Sequence, residues 1–199
     1  MSRLRPLFWT CGLVALLAVT GCFETRTPED PNNADTVPRK PRTDPDSVLW
    51  NIATCIEFKS PTAYMEQIGT LFTFIPDPAD VSAFDDPTLF NDWDRAREEI
   101  VLGDILTEAR AQNLTSKLVW GTDRDRRDFN DGVASGQWYE DLDYTITFVS
   151  TLRRTTYSGR VDLYFVESNA LWEVYKWTDK VDGSVNRSSG YLRGRQQID

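Results

Sequence analysis

The stretch over residues 136–179 constrains the fold of this chain most strongly, because apolar and polar residues alternate along it. The alternation is clear at residues 142–148, returns at 161–165, and ends in the aromatic-rich segment 171–179. A period of two, carried by aromatic and β-branched residues, is typical of half-buried strands in an antiparallel sheet. We therefore predict three long strands here, with the upstream helices covering one face of their sheet.

Turn-forming residues and two tryptophans refine this prediction. Ser158-Gly159 and Ser168-Asn169 are expected to form the turns between the strands. Trp172 and Trp177 are five positions apart, an odd spacing that places side chains on opposite faces of a regular strand. We expect both indoles to serve mainly in packing, one of them against the helices.

The rest of the chain predicts one folded domain over residues 46–182, followed by an irregular tail over 183–199. Asp44 or Asp46 can cap a first helix that runs to Phe58, since Pro45 suits a first-turn position. The further predictions are a short helix from Pro61, a strand at 71–75, a strand or loop at 79–84, a helix from Asn91 or Asp92, a strand at 116–121 and a charged loop at 122–136.

The N-terminus has the pattern of an export signal. Arg3 and Arg5 precede an apolar run at residues 7–19, which is too short for an ordinary membrane span. The sequence Val19-Thr20-Gly21-Cys22 then resembles the lipobox of bacterial lipoproteins, in which small residues precede the cysteine that receives lipid. The resemblance implies a signal peptide over residues 1–21 and lipidation of Cys22, with acyl chains such as palmitate; an ordinary cleaved signal is the alternative.

Residues 22–45 are predicted to be a disordered tether between this anchor and the domain. Proline recurs among Thr, Asn, Asp and Arg, with almost no apolar residues to support a packed structure. Phe23 follows the cysteine, where an aspartate would resemble an inner-membrane retention signal. We therefore expect a bacterial cell-envelope protein, held at the outer membrane through its lipid anchor.

Charge and the absence of histidine exclude several function classes. The net charge of −9 disfavours binding to nucleic acid, whose phosphates would be repelled. The chain contains no His, which removes the commonest general base and metal ligand. The acidic residues at 123–131 do not have the spacing of an EF-hand, and the arginines among them neutralise the cluster, so we predict no metal site and no cofactor.

Cys55 is expected to be a small core residue.

Two short motifs resemble a known superfamily. The segment Trp172-x-Val174-x-x-Trp177-x-Asp179 resembles the ending of polyketide-cyclase-like (SnoaL-like) proteins, and residues 93–99 are similar to a helix start in related lipoproteins. Together with the element order, they resemble the nuclear transport factor 2-like (NTF2-like, cystatin-like) fold. The resemblance implies an α+β cone in which a curved antiparallel sheet wraps around N-terminal helices.

Enzymes of this superfamily place a carboxylate, alone or paired with histidine, inside the cone. Without histidine, such chemistry here would require Asp143, Asp162, Glu173 or Asp179, because burial can raise the pKa of an aspartate towards neutrality. The parity of the strands does not decide which side chains point inward. The pocket candidates are Asp143, Tyr144, Asp162, Tyr164 and Tyr175.

Two functions of different kinds remain open. The first is a non-catalytic, membrane-anchored domain that binds a small ligand or an envelope protein. The second is an isomerase, dehydratase or cyclase that uses a buried aspartate. The sheet could also pair with a second copy of the chain to form a homodimer. A water-accessible interior carboxylate beside a tyrosine would favour the enzyme, whereas an interior filled with aromatic side chains would favour binding.

Overall fold

A computed structural model of the chain describes residues 37–183 and 186–197. The predicted signal peptide at 1–21, the lipidation of Cys22 and residues 22–36 of the predicted tether lie outside the described residues. Among the described residues, no helix is both long enough and apolar enough to cross a membrane.

The described part of the chain contains helices before, between and after the strands. The helices are α1 (Pro45–Glu57), α2 (Pro61–Met65), α3 (Pro78–Val81), α4 (Arg95–Ala111) and α5 (Ser189–Gln196), with a 3₁₀ turn at Pro87–Phe90. The strands are β1 (Ile68–Ile75), β2 (Thr115–Trp120), β3 (Arg126–Asn130), β4 (Ser135–Val149), β5 (Arg154–Ser168) and β6 (Leu171–Lys180).

The strands form one mixed sheet in the order β1-β6-β5-β4-β2. β1 runs parallel to β6, and the other pairs are antiparallel. The long strand β4 pairs with β5 along one edge, while its other edge is shared between β3 and β2. The predicted curved sheet is confirmed. The strand predicted at 71–75 is its edge strand β1, and because β1 pairs in parallel with β6, the sheet is mixed and not wholly antiparallel.

Alternation along the strands divides the sheet into a concave face, which lies under the helices, and an outer face. The concave face carries buried side chains from every strand except β3: Phe72, Phe74, Leu118, Trp120, Leu142, Tyr144, Ile146, Val161, Leu163, Phe165, Val174 and Trp177. Helix α1 closes over β2, where the Trp120 indole donates to the carbonyl of Leu49 at 2.9 Å and Ser116 Oγ donates to that of Ile56 at 2.6 Å. The fully buried Cys55 belongs to this core, and burial raises its pKa to about 12.

A β-bulge in β6 changes the expected orientation of the two tryptophans. The pairing of β5 with β6 shifts between Tyr164 and Phe165, so Val174 and Trp177 are both buried although they are three positions apart. Trp172 is two positions from Val174 and packs, half-buried, against the same core. The two indoles therefore share the concave side, and the prediction of opposite faces, which assumed a regular strand, is wrong.

Gly159 lies within β5 and does not form a turn. The turn falls earlier, where Ser150 accepts hydrogen bonds from the amides of Leu152 and Arg153. A Cβ atom at Gly159 would lie 2.7 Å from the carbonyl oxygen of Lys180 and 2.8 Å from the hydroxyl of Tyr144. Glycine is needed at this position because the Tyr144 side chain crosses over the backbone. Turn propensity favours glycine in both situations, so it does not distinguish such a crossing from a true turn.

The described residues before α1 contact the domain. Asn51 exchanges two hydrogen bonds with the backbone of Lys40, at 2.8 and 3.0 Å, and Val37 is buried. The carbonyl of Arg42 accepts from the amide of Trp172 at 2.8 Å. Residues 37–44, which the sequence places in a tether, thus pack along α1 and the start of β6, held at Lys40 by the buried Asn51 side chain and at Arg42 by the amide of Trp172.

Other segments also differ from the predictions. The charged loop at 122–136 contains β3, whose backbone pairs with β4 from Arg126 to Asn130. Residues 189–196 of the predicted irregular tail form α5, which begins where Ser188 Oγ accepts from the amide of Tyr191 at 3.1 Å. Asp44 caps α1 as predicted, and Asp94 caps α4 two to three residues later than expected.

Candidate functional site

A buried ion pair lies under the helices at the centre of the cone. The Arg193 guanidinium on α5 donates to Glu98 on α4, from Nη2 to Oε1 at 2.8 Å and from Nε to Oε2 at 3.1 Å. The Tyr64 hydroxyl donates to Oε1 at 2.8 Å and the Trp93 indole to Oε2 at 2.9 Å. Each carboxylate oxygen thus accepts two hydrogen bonds, which is the condition under which a charged pair can persist in a core.

The ion pair sets the protonation of its neighbours. Burial opposes the charged form of Glu98, but Arg193 and the two uncharged donors outweigh it and lower the pKa of this carboxyl. Burial likewise opposes the charged form of Arg193, and Glu98 outweighs it, so the arginine stays protonated. Burial, followed by the Glu98 charge, raises the pKa of Tyr64 well above its usual value. At neutral pH, Tyr64 is therefore a neutral donor and not a base.

Aromatic rings surround the Arg193 guanidinium. Its central carbon lies 4.5 Å from the ring centroid of Phe74 and 4.8 Å from that of Trp177. A guanidinium over an aromatic face is attracted by the ring quadrupole, and the attraction is larger where water is excluded. Arg193 thus occupies the concave face where a ligand would have to lie in an open cone.

Asp179, at the end of β6, is the second buried carboxylate. The Tyr144 hydroxyl donates to its Oδ1 at 2.7 Å, while Ser189 Oγ and the amide of Gly190 donate to its Oδ2 at 2.9 and 2.6 Å. Tyr144 in turn accepts from the amide of Ser189 at 2.7 Å. Burial raises the pKa of Asp179, against the opposing effect of Tyr144 and Arg193. The start of α5 is therefore fixed directly onto this carboxylate.

Asp80 on α3 is a third buried carboxylate near the same helix end. Ser188 Oγ donates to its Oδ2, and burial raises its pKa to about 6 although this hydrogen bond acts in the opposite direction. A Cβ atom at Gly190 would lie 2.5 Å from Asp80 Oδ2 and 3.2 Å from Asp179 Oδ2. The missing side chain of Gly190 thus leaves the room in which both carboxylates approach the helix.

The structure separates the five pocket candidates. Tyr144 points into the concave face and bonds to Asp179. The other four lie on the outer face: Asp143 is exposed, Asp162 pairs with Lys180 at 2.7 Å, Tyr164 stacks on Trp138 at 4.9 Å between centroids, and Tyr175 stacks on Phe129 and donates to Asp131 at 3.1 Å.

The strongest features of the site were not predicted as such. Glu98 fits the pattern of an acidic residue in the first turn of a helix. That pattern does not indicate that the side chain is buried. Arg193 was in the predicted tail. The signal that could have revealed α5 is Ser188 as a helix cap, with Arg193 and Arg195 in the last turn of the helix.

A groove lies beside this site, between α4, α5 and the ends of β4 and β5. Its volume is about 200 Å³, and its apolar floor consists of Ile105, Ala109, Leu114, Phe148 and Leu192. We refer to it as the α4–α5 groove. Among the described residues, no group of three or more His, Cys, Asp and Glu side chains has the arrangement needed to hold a metal ion.

A curved mixed sheet around helices, with the two 15-residue strands β4 and β5 at its centre, is the architecture of the NTF2-like or cystatin-like α+β cone. Superposition on a putative aromatic ring hydroxylase from Novosphingobium aromaticivorans gives a TM-score of 0.52 at 10% identity, covering 74% of this chain and 92% of that one. The chain is also similar to an NTF2-like superfamily protein from Salmonella enterica serovar Typhimurium (TM-score 0.46, 13% identity, 70% and 89% covered). A cystatin-like protein from Caulobacter vibrioides gives a TM-score of 0.46 at 12% identity, with 68% and 85% covered.

No family model matches the sequence, and no curated protein sequence matches it. The similarity to solved structures therefore establishes the fold and leaves the function to the chemistry of the site.

Proposed function

We propose that this chain is a lipid-anchored protein of the bacterial cell envelope, whose NTF2-like domain binds a small ligand or an envelope protein without catalysis. The observation that carries the non-catalytic part is the position of Arg193. Its guanidinium lies between Phe74 and Trp177 and is neutralised by Glu98, so the concave face where NTF2-like enzymes would place a substrate is occupied by the protein's own side chains.

The anchored part of the proposal rests on the sequence. Arg3 and Arg5, the apolar run at residues 7–19 and Val19-Thr20-Gly21-Cys22 follow one another in the order of a lipoprotein signal. Each acyl methylene buried in a bilayer contributes about 0.8 kcal/mol, so several chains on one cysteine would hold the protein stably. Phe23 after the cysteine favours the outer membrane.

Acyl labelling tests the anchor. The wild-type chain should incorporate labelled palmitate, fractionate with membranes and show a mature N-terminus at Cys22. The variant Cys22→Ala should do none of these. A Cys22→Ala protein that remains acylated and membrane-bound would exclude the proposed anchor. Cys55→Ala is the matched control, because Cys55 is buried in the domain and its loss should leave labelling unchanged.

One observation favours the alternative, a carboxylate-based isomerase, dehydratase or cyclase. Asp179 lies inside the cone, bonds to Tyr144 and has a raised pKa, as a general base of this kind would. Substrate could reach it only if the start of α5 moved away, since Ser189 and Gly190 cover both of its oxygens together with Tyr144.

Amide hydrogen exchange separates the two candidates. The amides of Ser189 and Gly190 donate to Tyr144 and Asp179, so their protection reports how often this helix end opens. Under the binding proposal, both amides should exchange nearly as slowly as those of the central strand β5. Fast exchange at both, with β5 still protected, would mean that the interior opens readily and would favour the enzyme.

A further inference from the structure

The α4–α5 groove combines an apolar floor with positive charge at its rim. Arg153, in the turn between β4 and β5, lines the groove together with Arg195 from α5. The one acidic residue among its lining residues is Glu108, whose carboxylate accepts a hydrogen bond from Gln112 at 2.6 Å. The chain has a net charge of −9, whereas the lining of this groove, with two guanidinium groups and one carboxylate, is positively charged.

Tyr157 lines the α4–α5 groove together with Arg153 and Arg195. Its ring is buried at the groove wall, in edge contact with Phe148 at 6.4 Å between centroids. Burial raises the pKa of Tyr157, and the charges of Arg195 and Arg153 both oppose this rise. The two arginines come from different elements, Arg153 from the turn between β4 and β5 and Arg195 from α5, and both line the groove together with Tyr157.

The volume of the groove limits the size of its ligand. A closed apolar cavity of about 150 Å³ holds one benzene molecule. The groove has about 200 Å³, and both of its arginines are exposed to solvent. This is room for one ring, or a chain of about six carbons, with a polar group at the opening.

We propose that the α4–α5 groove binds a small amphipathic carboxylate, with its apolar body on Ala109, Phe148 and Leu192 and its carboxylate between Arg153 and Arg195. Arginine suits this role, because its planar fork of donors matches the two oxygens of a carboxylate. The inference rests on the proposed function and specifies it: the ligand lies beside α5 and not in the interior of the cone. No bond is made or broken, in agreement with a non-catalytic module.

Binding of simple probes to the full-length chain tests this. Phenylacetate and hexanoate should bind at millimolar concentration in ligand-observed NMR titrations. The neutral phenylacetamide should bind at least about tenfold more weakly, because it forfeits the charge-assisted hydrogen bonds. The cation 2-phenylethylamine should not bind measurably. Equal affinity for phenylacetate and phenylacetamide would overturn the role of the arginines.

Two neighbouring arginines provide a matched pair of variants. Arg153→Gln should weaken phenylacetate binding about tenfold or more, by the loss of a charged partner. Arg154→Gln removes the same charge one residue away, at a position that does not line the groove, and should change the affinity by less than about threefold. Arg153→Lys should give an intermediate affinity, since it keeps the charge and loses the fork. Melting temperatures of all three variants confirm that each is folded.

The outcomes distinguish this inference from the function on which it rests. Equal losses in Arg153→Gln and Arg154→Gln would indicate a general effect of charge and would overturn the groove site. No binding of either carboxylate would overturn it as well. In both cases, the acyl labelling of Cys22 and the exchange of the Ser189 and Gly190 amides would still decide the proposed function independently.

Discussion

Arg193 on α5 and Glu98 on α4 are 95 positions apart in the sequence and form an ion pair whose two side chains are only 3% and 0% exposed. Their hydrogen bonds connect the last helix of the described chain to the centre of the cone. Taking two charges out of water is expensive, so the pair is stable only while both partners and the donors Tyr64 and Trp93 are present. Removing one partner should therefore be far worse than removing both.

A double-mutant cycle tests this relationship. Arg193→Met should lower the free energy of unfolding by about 3–5 kcal/mol, because it leaves the Glu98 carboxylate buried without a counter-charge. Glu98→Gln in the same background should recover a large part of this loss. The measurement is urea unfolding at pH 7. Arg127→Met, which breaks surface pairs with Asp125 and Glu140, is the control and should cost less than about 1 kcal/mol. Additive effects of the two core substitutions would contradict the pairing.

Trp93 and Trp177 have the same burial but different hydrogen bonding. Each is 1% exposed, yet the Trp93 indole donates to Glu98 at 2.9 Å, whereas the Trp177 Nε1 is buried without a hydrogen-bond partner among the described residues. Trp93→Phe loses a charge-assisted bond, and Trp177→Phe removes an unsatisfied donor. We expect Trp93→Phe to be the more destabilising by about 1.5–3 kcal/mol in chemical denaturation. A larger loss for Trp177→Phe would mean that ring volume alone governs both sites.

Gly190 and Gly103 should respond oppositely to the same change. Gly190→Ala would place Cβ 2.5 Å from Asp80 Oδ2, so it should destabilise the protein and disturb the start of α5. Gly103 lies inside α4, and a Cβ there meets no atom of residues 37–183 or 186–197 within 4 Å. Gly103→Ala should therefore raise stability by up to about 1 kcal/mol through helix propensity. Melting temperatures of the two variants, read against wild type, provide the test. A neutral Gly190→Ala would show that α5 does not press on Asp80.

Asp80 should make stability depend on pH between about 4 and 6. Burial raises its pKa in the folded state to about 6 from an ordinary 3.8, so the folded protein binds the proton more tightly than the unfolded chain. The contribution of this group is fully present below pH 4 and is lost as pH rises through 6. The pKa of Asp179 is also raised, so this group changes stability with pH in the same direction. The charge of Asp77 raises the pKa of Asp80, and the charge of Arg187 lowers it.

The variant Asp80→Asn isolates this contribution. The asparagine keeps an acceptor for Ser188 and cannot ionise. The fall in the free energy of unfolding between pH 4 and 6 should therefore become smaller by up to about 3 kcal/mol, which is the free energy equivalent to the pKa shift of Asp80. Asp143→Asn is the matched control on the exposed outer face and should leave the profile unchanged. The free energy of unfolding is measured in urea from pH 4 to 8. Identical profiles for wild type and Asp80→Asn would exclude the effect.

The sheet was predictable because its signal is local. Alternation at residues 142–148 and 161–165 corresponds to the buried side chains of β4 and β5, and turn chemistry placed Ser168-Asn169 correctly between β5 and β6. The misplaced turn at Ser158-Gly159 and the shared face of Trp172 and Trp177 have a different origin. Both depend on a tertiary event, the crossing of Tyr144 in one case and a bulge in β6 in the other, and neither changes the local pattern of hydrophobicity.

The interior of the cone was not predictable for a related reason. Whether Glu98 faces water or a core depends on a partner 95 positions away, and a charged residue in a first helical turn gives the same pattern in both situations. Tyr144 was identified as a pocket candidate, and Asp179 was considered with it, but the other four candidates lie on the outer face: Asp143, Asp162, Tyr164 and Tyr175. A shift of register by one residue at each bulge reverses such assignments.

The parallel pairing of β1 with β6 also determines when the domain can fold. Ile68 lies opposite Val174, so β1 is synthesised about 100 residues before the strand that receives it. At about 5–20 residues per second, this is a delay of roughly 5–20 seconds, and non-local contacts of this kind slow folding further. Arg193 follows later still, and until it arrives Glu98 has no counter-charge. The core is therefore complete only once α5 has been added, and a chain cut short before α5 would leave Glu98 without its counter-charge.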